Sequence, residues 1–157
     1  MFFPDPVAAL RDMVRVTKKE GALSFAVWHE SNANPFAYIV TDVVSRHIKT
    51  QPADPDAPGA FRFAAPGKLV RVLAEAGAVH VRERLLKFQI EAPISRAEFW
   101  EMRSGTSGTL REKLDALSSD LRLTIANEVK EAVAEFFPNE QMSFPAQMLI
   151  VSGDKAN

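Results

Sequence analysis

Gly21-Ala22-Leu23-Ser24-Phe25-Ala26-Val27-Trp28-His29 is the stretch on which the fold turns. The run from Ala22 to Trp28 is uncharged, β-prone and apolar on both of its alternating faces. Such a strand is expected to be covered on both sides, as at the centre of a parallel sheet. A helical pattern stands directly in front of it. Asp5 suits an N-cap and Pro6 the first helical position, and Val7, Leu10, Met13 and Val14 recur on one face. Lys18 and Lys19 complement the negative end of the helix dipole, and Gly21 is a natural stop. Helix, tight turn and two-sided strand together form a unit of an α/β fold.

Working downstream, Asn34-Pro35 again pairs a cap with an N1 proline. Phe36, Ile39, Val40, Val43 and Val44 form the buried face of that second helix. Residues 50–60 hold Pro52, Pro55, Pro58 and Gly59 and are expected to be a surface loop. A third helix is predicted over 66–76, with Leu69, Val70, Leu73 and Ala76 facing inward. Residues 79–91 alternate as a strand whose phase slips, which a bulge near Arg84 or Leu85 would restore. Residues 95–137 are helical. Ser95 and Glu98 make a capping box, Gly105-Thr106-Ser107-Gly108 breaks the run, and Ser118-Ser119-Asp120 offers another cap. A last strand spans 144–152, with Pro145 confined to its start. Its centre, Met148 to Val151, is apolar on both faces and belongs inside a sheet. The chain is expected to form a single domain over 1–157.

Composition narrows the function classes. The 157 residues carry Lys+Arg 19 against Asp+Glu 20, so no basic excess points to nucleic acid. There is no Cys, which excludes disulfides, thiolate nucleophiles and Cys-based metal sites. The N-terminus lacks the basic start and apolar run of a signal peptide, and no apolar stretch approaches a membrane span. A cytoplasmic protein is the expectation.

The motifs of nucleotide binding are missing. The chain has no G-x-G and no G-x-x-x-x-G-K-[ST]. Residues 105–108 lack the preceding strand that a phosphate cradle or nucleophile turn requires. No His stands at metal-ligand spacing from another. His47 and His80 are expected to be solvated. His29 ends the central strand, and ligands of open α/β sheets bind beyond the carboxyl ends of strands. No pair of carboxylates offers acid/base chemistry.

Several segments together resemble class I S-adenosylmethionine-dependent methyltransferases, in particular the small-molecule branch that includes ubiquinone- and menaquinone-biosynthesis-type enzymes. They are Phe2-Phe3-Pro4-Asp5, the helix Ala9-Leu10-Arg11-Asp12-Met13-Val14-Arg15-Val16, the strand Gly21 to Trp28, and Glu75-Ala76-Gly77-Ala78 leading into Val79-His80-Val81. The family pattern is F-P-D, then A-L-x-E-x-x-R-V-L-K-P-G-G, then a strand ending in Trp, and later L-L-x-E-A-G-F-x-x-V. The similarity extends over essentially the whole chain. Lys18-Lys19-Glu20-Gly21 departs from K-P-G-G, and Asp12 stands where Glu is usual.

The resemblance implies a partial Rossmann-like sheet. Strand 22–28 would be the fifth, 79–91 the sixth and 144–152 an antiparallel seventh inserted between them. The helices of 95–137 would cover the substrate side. The family holds its cofactor with a Gly-rich loop and an acidic residue, both upstream of the F-P-D segment. No cofactor-binding residue therefore carries over, and this chain alone is expected to bind no S-adenosylmethionine. It is expected to be the C-terminal part of a longer domain. The resemblance also implies a small-molecule substrate, for which Phe3, Trp28, His29, Asn32, Phe99 and Trp100 are the candidate contacts. Core packing is the competing role for Phe99 and Trp100. No residue is assigned to catalysis.

A second expectation concerns assembly. Without its preceding strands, strand 22–28 has an unpaired edge, which invites a homodimer or a partner supplying the missing half. A non-catalytic binding module and a small-ligand carrier are the alternative functions.

Overall fold

In the computed structural model, residues 1–48, 54–106 and 108–156 are described, the side chain of Thr109 excepted. Pro52 and Ser107 lie outside them, and with them part of the expected 50–60 loop and of the 105–108 break. The chain divides into two compact units. One comprises Met1–Asn34, Pro52–Phe88 and Gln147–Asn157, the other Pro35–Gln51 and Gln89–Ala146.

In the first unit, α1 (Pro6–Val16) begins as its sequence dictates. Asp5 caps it by accepting a hydrogen bond from the Ala8 N–H at 2.9 Å, and Pro6 occupies the first turn. It stops earlier than Gly21, with Thr17 as C-cap. The left-handed residue of the turn is Glu20, at φ 59°, not the glycine. Gly21 is required for space: a Cβ there would lie 2.8 Å from the Lys18 carbonyl oxygen and 2.7 Å from Thr17 Cγ2. β1 (Ala22–Trp28) follows, and α3 (Lys68–Glu75) packs beside α1.

β1 pairs antiparallel with β3 (Met142–Lys155), Ala22 opposite Asp154 and Trp28 opposite Met148. The sheet order is β1-β3-β2, where β2 is Ala78–Ala92. The last strand is therefore the inner one, as its two-sided apolar centre required. The expectation for β1 is corrected. It is an edge strand among the described residues, and only one face is covered. Leu23, Phe25 and Val27 turn toward α1 and α3, in a core that includes Leu10, Leu69, Leu73 and Val151. Ala22, Ser24 and Ala26 on the opposite face are exposed. Apolar composition misled here because alanine and serine are compatible with solvent as well as with burial.

β2 is one long strand. Its alternation changes parity at Arg84 and Leu85, two consecutive exposed residues, where the phase slip was read. Gly153 explains how closely its neighbours approach β3, since a Cβ there would stand 3.2 Å from both Ala78 Cβ and Val81 Cγ2.

The second unit is mostly helical: α2 (Pro35–His47), α4 (Arg96–Thr106), α5 (Gly108–Asp115) and α6 (Ser119–Ala132). Phe144, fully buried, stands among the rings of Phe36, Phe99, Phe136 and Phe137. Ser118 caps α6 by accepting from the Leu121 N–H. His47 is not solvated as expected. Its Nε2 lies 3.0 Å from Glu128 Oε2, with 21% of its side chain exposed.

The capping box of α4 forms as read. The Ser95 N–H and hydroxyl each donate to Glu98 Oε2 at 2.8 Å, and these bonds hold the Glu98 carboxyl below its ordinary pKa. A depressed folded-state pKa contributes stability above the unfolded carboxylate value and loses it as pH falls through the folded value. Ser95→Ala removes the hydroxyl but keeps the N–H. It is expected to raise the Glu98 pKa part of the way back, which an NMR titration of the carboxyl carbon would register.

Candidate functional site

The carboxyl end of β1 is where an open α/β sheet offers a ligand site. Three expected residues fall there: Trp28 and His29, both half-buried, and Asn32, exposed on the 3-10 turn Ser31–Ala33. The segment is held by its own polar groups. The His29 N–H donates to the Gln147 carbonyl at 3.0 Å. The His29 ring accepts the Glu30 N–H at Nδ1, 2.5 Å, which leaves Nε2 to carry the proton of the neutral ring.

Asn34 is the residue that sequence reasoning missed. It was taken for a helix cap, yet its side chain turns away from α2. Its Nδ2 donates to the carbonyls of His29 and Glu30, both at 3.1 Å, and its Oδ1 accepts the Gln147 N–H at 2.9 Å. It is 1% exposed, the one buried polar side chain among the described residues. Every amide atom in use ties the end of β1 to β3. An Asn before a Pro carries the same signal in both roles, so the sequence offered no means of separating them.

Beside this end lies an open cavity of about 430 Å³, lined by Glu30, Ser31, Asn32, Phe61, Arg62 and Lys68 among others. Its cations are already committed. Lys68 Nζ pairs with Asp56 at 2.7 Å, an arrangement that also holds the Asp56 carboxyl below its ordinary pKa. The Arg62 guanidinium donates to the carbonyls of Phe3 and Pro4. Glu30, Ser31 and Asn32 remain as polar groups that could orient a small molecule. No nucleophile and base stand within reach of one another there, and no cluster of three His, Asp or Glu exists among the described residues. The groups lining it could orient a small molecule, and no catalytic constellation stands among them.

Phe3 is 51% exposed and lines a separate apolar groove of about 270 Å³ between α1 and β1. Phe99 and Trp100 belong to the second unit. Phe99 is fully buried, stacked on Phe144 with centroids 5.3 Å apart. Trp100 is half-buried beside a shallow cavity with Ser104, Arg111 and Arg122. In the same unit Arg103 lies over the Phe36 ring at 5.0 Å and donates to the Ala37 carbonyl at 3.4 Å; burial lowers its pKa from the ordinary value.

A glycine-bounded helix start, the usual anion cradle, is filled from within. The Gly67 N–H, at the head of α3, donates to both carboxylate oxygens of Glu83 at 3.2 and 3.1 Å. No helix among the described residues is long and apolar enough to cross a membrane.

No protein-family profile and no curated protein matches the chain. Among solved structures it is similar to a provisionally assigned methyltransferase from Bacillus halodurans. The identity is 18% and the TM-score 0.46, over 99% of this chain and 60% of the other. The chain thus spans less than two thirds of that protein's length. At such a distance the likeness assigns no function.

Proposed function

We propose that this chain supplies the substrate-side part of an S-adenosylmethionine-dependent methyltransferase domain acting on a small molecule, and that it is not catalytic alone. The observation that carries the proposal is the place of β3, antiparallel to β1 and hydrogen-bonded between β1 and β2. In such a domain β1, β2 and β3 are the fifth, sixth and inserted seventh strands, and α4 to α6 fall between the last two. The two units are then parts of one domain, in a cytoplasmic enzyme. The bare outer edge and open face of β1 support the same reading, because a strand inside a larger sheet has neighbours on both.

The residues present do not fit the cofactor. The glycine-bounded N-terminus of α3, where an anionic group could sit, is already capped by Glu83, and the turn after β1 holds Glu30, Ser31 and Asn32. On this reading S-adenosylmethionine would be held by a preceding part of such a domain, and no residue here is assigned a bond-making step. The chain's contribution is positioning, which can by itself account for much of a transfer reaction. Trp28, His29 and Asn32 would meet the substrate at the end of β1, with Phe3 beyond them. Trp100 remains a candidate substrate contact of the helical unit, whose packing Phe99 holds.

Calorimetric titration of S-adenosylmethionine into the 157-residue chain is expected to give no saturable heat. Tight binding would overturn the reading. The DNA before the Met1 codon is expected to encode, in frame, a strand, a G-x-G-x-G turn and an acidic residue, and the longer product to transfer a labelled methyl group. An in-frame stop codon directly upstream would count against it.

A further inference from the structure

We propose that Arg103, with the first turn of α2, binds the anionic group of a small molecule, a carboxylate or a phosphate. The inference goes beyond the methyltransferase reading and does not depend on it. It rests on a cation whose surroundings lack the group that would offset its burial. Arg103 lies on α4 and reaches across to α2, both within the helical unit. Its guanidinium stands over the Phe36 ring at 5.0 Å. Nη2 donates to the Ala37 carbonyl at 3.4 Å, longer than the usual range. Nε is buried and has no acceptor. Nη1 donates to nothing among the described residues, and it is not enclosed as Nε is.

A buried guanidinium keeps its charge and is normally matched by a carboxylate. Other arginines here have one: Arg15 pairs with Asp12, Arg46 with Asp42, Arg96 with Glu140 and Arg122 with Asp115. Arg103 pairs with no carboxylate among the described residues. The sequence outside them, residues 49–53, Ser107 and Asn157, contains no Asp or Glu. Burial lowers the Arg103 pKa, and no neighbouring anion raises it again. The matching anion is therefore not an acidic side chain of this sequence.

The helix turn that Arg103 touches adds donors of its own. The Asn34 side chain, placed to cap α2, is bound to His29, Glu30 and Gln147 instead. The N–H groups of Phe36 and Ala37 consequently have no acceptor among the described residues, and no acidic residue stands in the first turn. The other helix starts are served: α1 by Asp5, α4 by Ser95, α6 by Ser118 and α3 by Glu83. Phe36 and Ala37 are the same two residues that the guanidinium contacts. An anion held there would meet a cation, two main-chain donors and the positive end of a 13-residue helix. A planar guanidinium takes a carboxylate or a phosphate two oxygens at a time, which sets the class of ligand. Cations and amines are repelled by the same groups.

The test titrates inorganic phosphate and acetate separately into the isotope-labelled 157-residue chain, against sodium chloride of equal ionic strength. Saturable NMR shifts are expected at the Phe36 and Ala37 amides and at the Arg103 Nε–H. Saturation by phosphate alone points to a phosphoryl ligand, and saturation by acetate alone to a carboxylate. Shifts no larger than those in chloride overturn the proposal. Arg103→Met keeps the stem over Phe36 and removes the charge. It is expected to raise the dissociation constant at least about tenfold, and an unchanged constant overturns the proposal. Arg103→Gln carries the same expectation should the Met variant fail to fold. Stability separates binding from packing. Without added anion, Arg103→Met is expected to unfold at or above the wild-type temperature, because an unmatched buried charge is gone. Phosphate or acetate at about ten times its dissociation constant is then expected to raise the wild-type midpoint by about 3–4 °C and leave the variant unmoved. A less stable variant, with no gain by the wild type, would mean that the guanidinium only packs. None of these readouts involves S-adenosylmethionine, so their failure is separable from failure of the methyltransferase reading.

Discussion

Phe144→Ala is expected to lower stability by about 3–5 kcal/mol, the range for truncating a fully buried aromatic ring. Phe144 is 0% exposed and stacks on Phe136 at 4.7 Å and on Phe99 at 5.3 Å. Phe36 and Phe137 meet it edge-on at 5.6 and 5.8 Å. Removing it opens a cavity that four other rings line, and rings relax into such a space poorly. Urea unfolding read from Trp100, in a Trp28→Phe background, would measure the loss in the unit that Phe144 occupies. Phe144→Leu, which keeps most of the volume, is expected to cost well under half as much. Equal losses from Ala and Leu would mean that the ring contacts, not the volume, hold this core.

Asn34→Ala is the second large effect, expected at about 3 kcal/mol. The substitution leaves the Gln147 N–H and the carbonyls of His29 and Glu30 without their partner. Burial makes each of those groups costly to leave unmade. The unfolding transition read from Trp28, in a Trp100→Phe background, would report it. Asn34→Asp separates the contributions. It keeps the acceptor for Gln147 but replaces the donor by a negative oxygen beside two carbonyls, so it is expected to be no better than Ala. A stable Asp variant would show that only the bond to Gln147 matters.

Much of the fold was legible because its signals are local. Asp5-Pro6, the Ser95–Glu98 box and Ser118 each fix a helix start by bonds within three residues. The parity change at Arg84 and Leu85 is written in the burial alternation itself. What stayed hidden depends on distant partners. Nothing near His47 announces Glu128, and nothing near Gly67 announces Glu83. The two-sided apolar pattern of β1 said what the strand tolerates, not what covers it. The candidate site was legible in the same measure. The end of β1 could be located from strand polarity, whereas the Asn34 clamp that shapes it joins residues 113 positions apart.

That separation also has a consequence in time. β1 leaves the ribosome well before residues 148–154, the strand segment it pairs with among the described residues. At ordinary translation rates the gap is on the order of ten seconds. Throughout it the edge of β1 that β3 will take is bare, on a polysome where identical nascent chains are close by. Neighbouring copies can therefore meet before β3 exists to compete for that edge. Residues 21–29 are the segment where a chaperone bound during synthesis is expected, which cross-linking on stalled ribosomes would register.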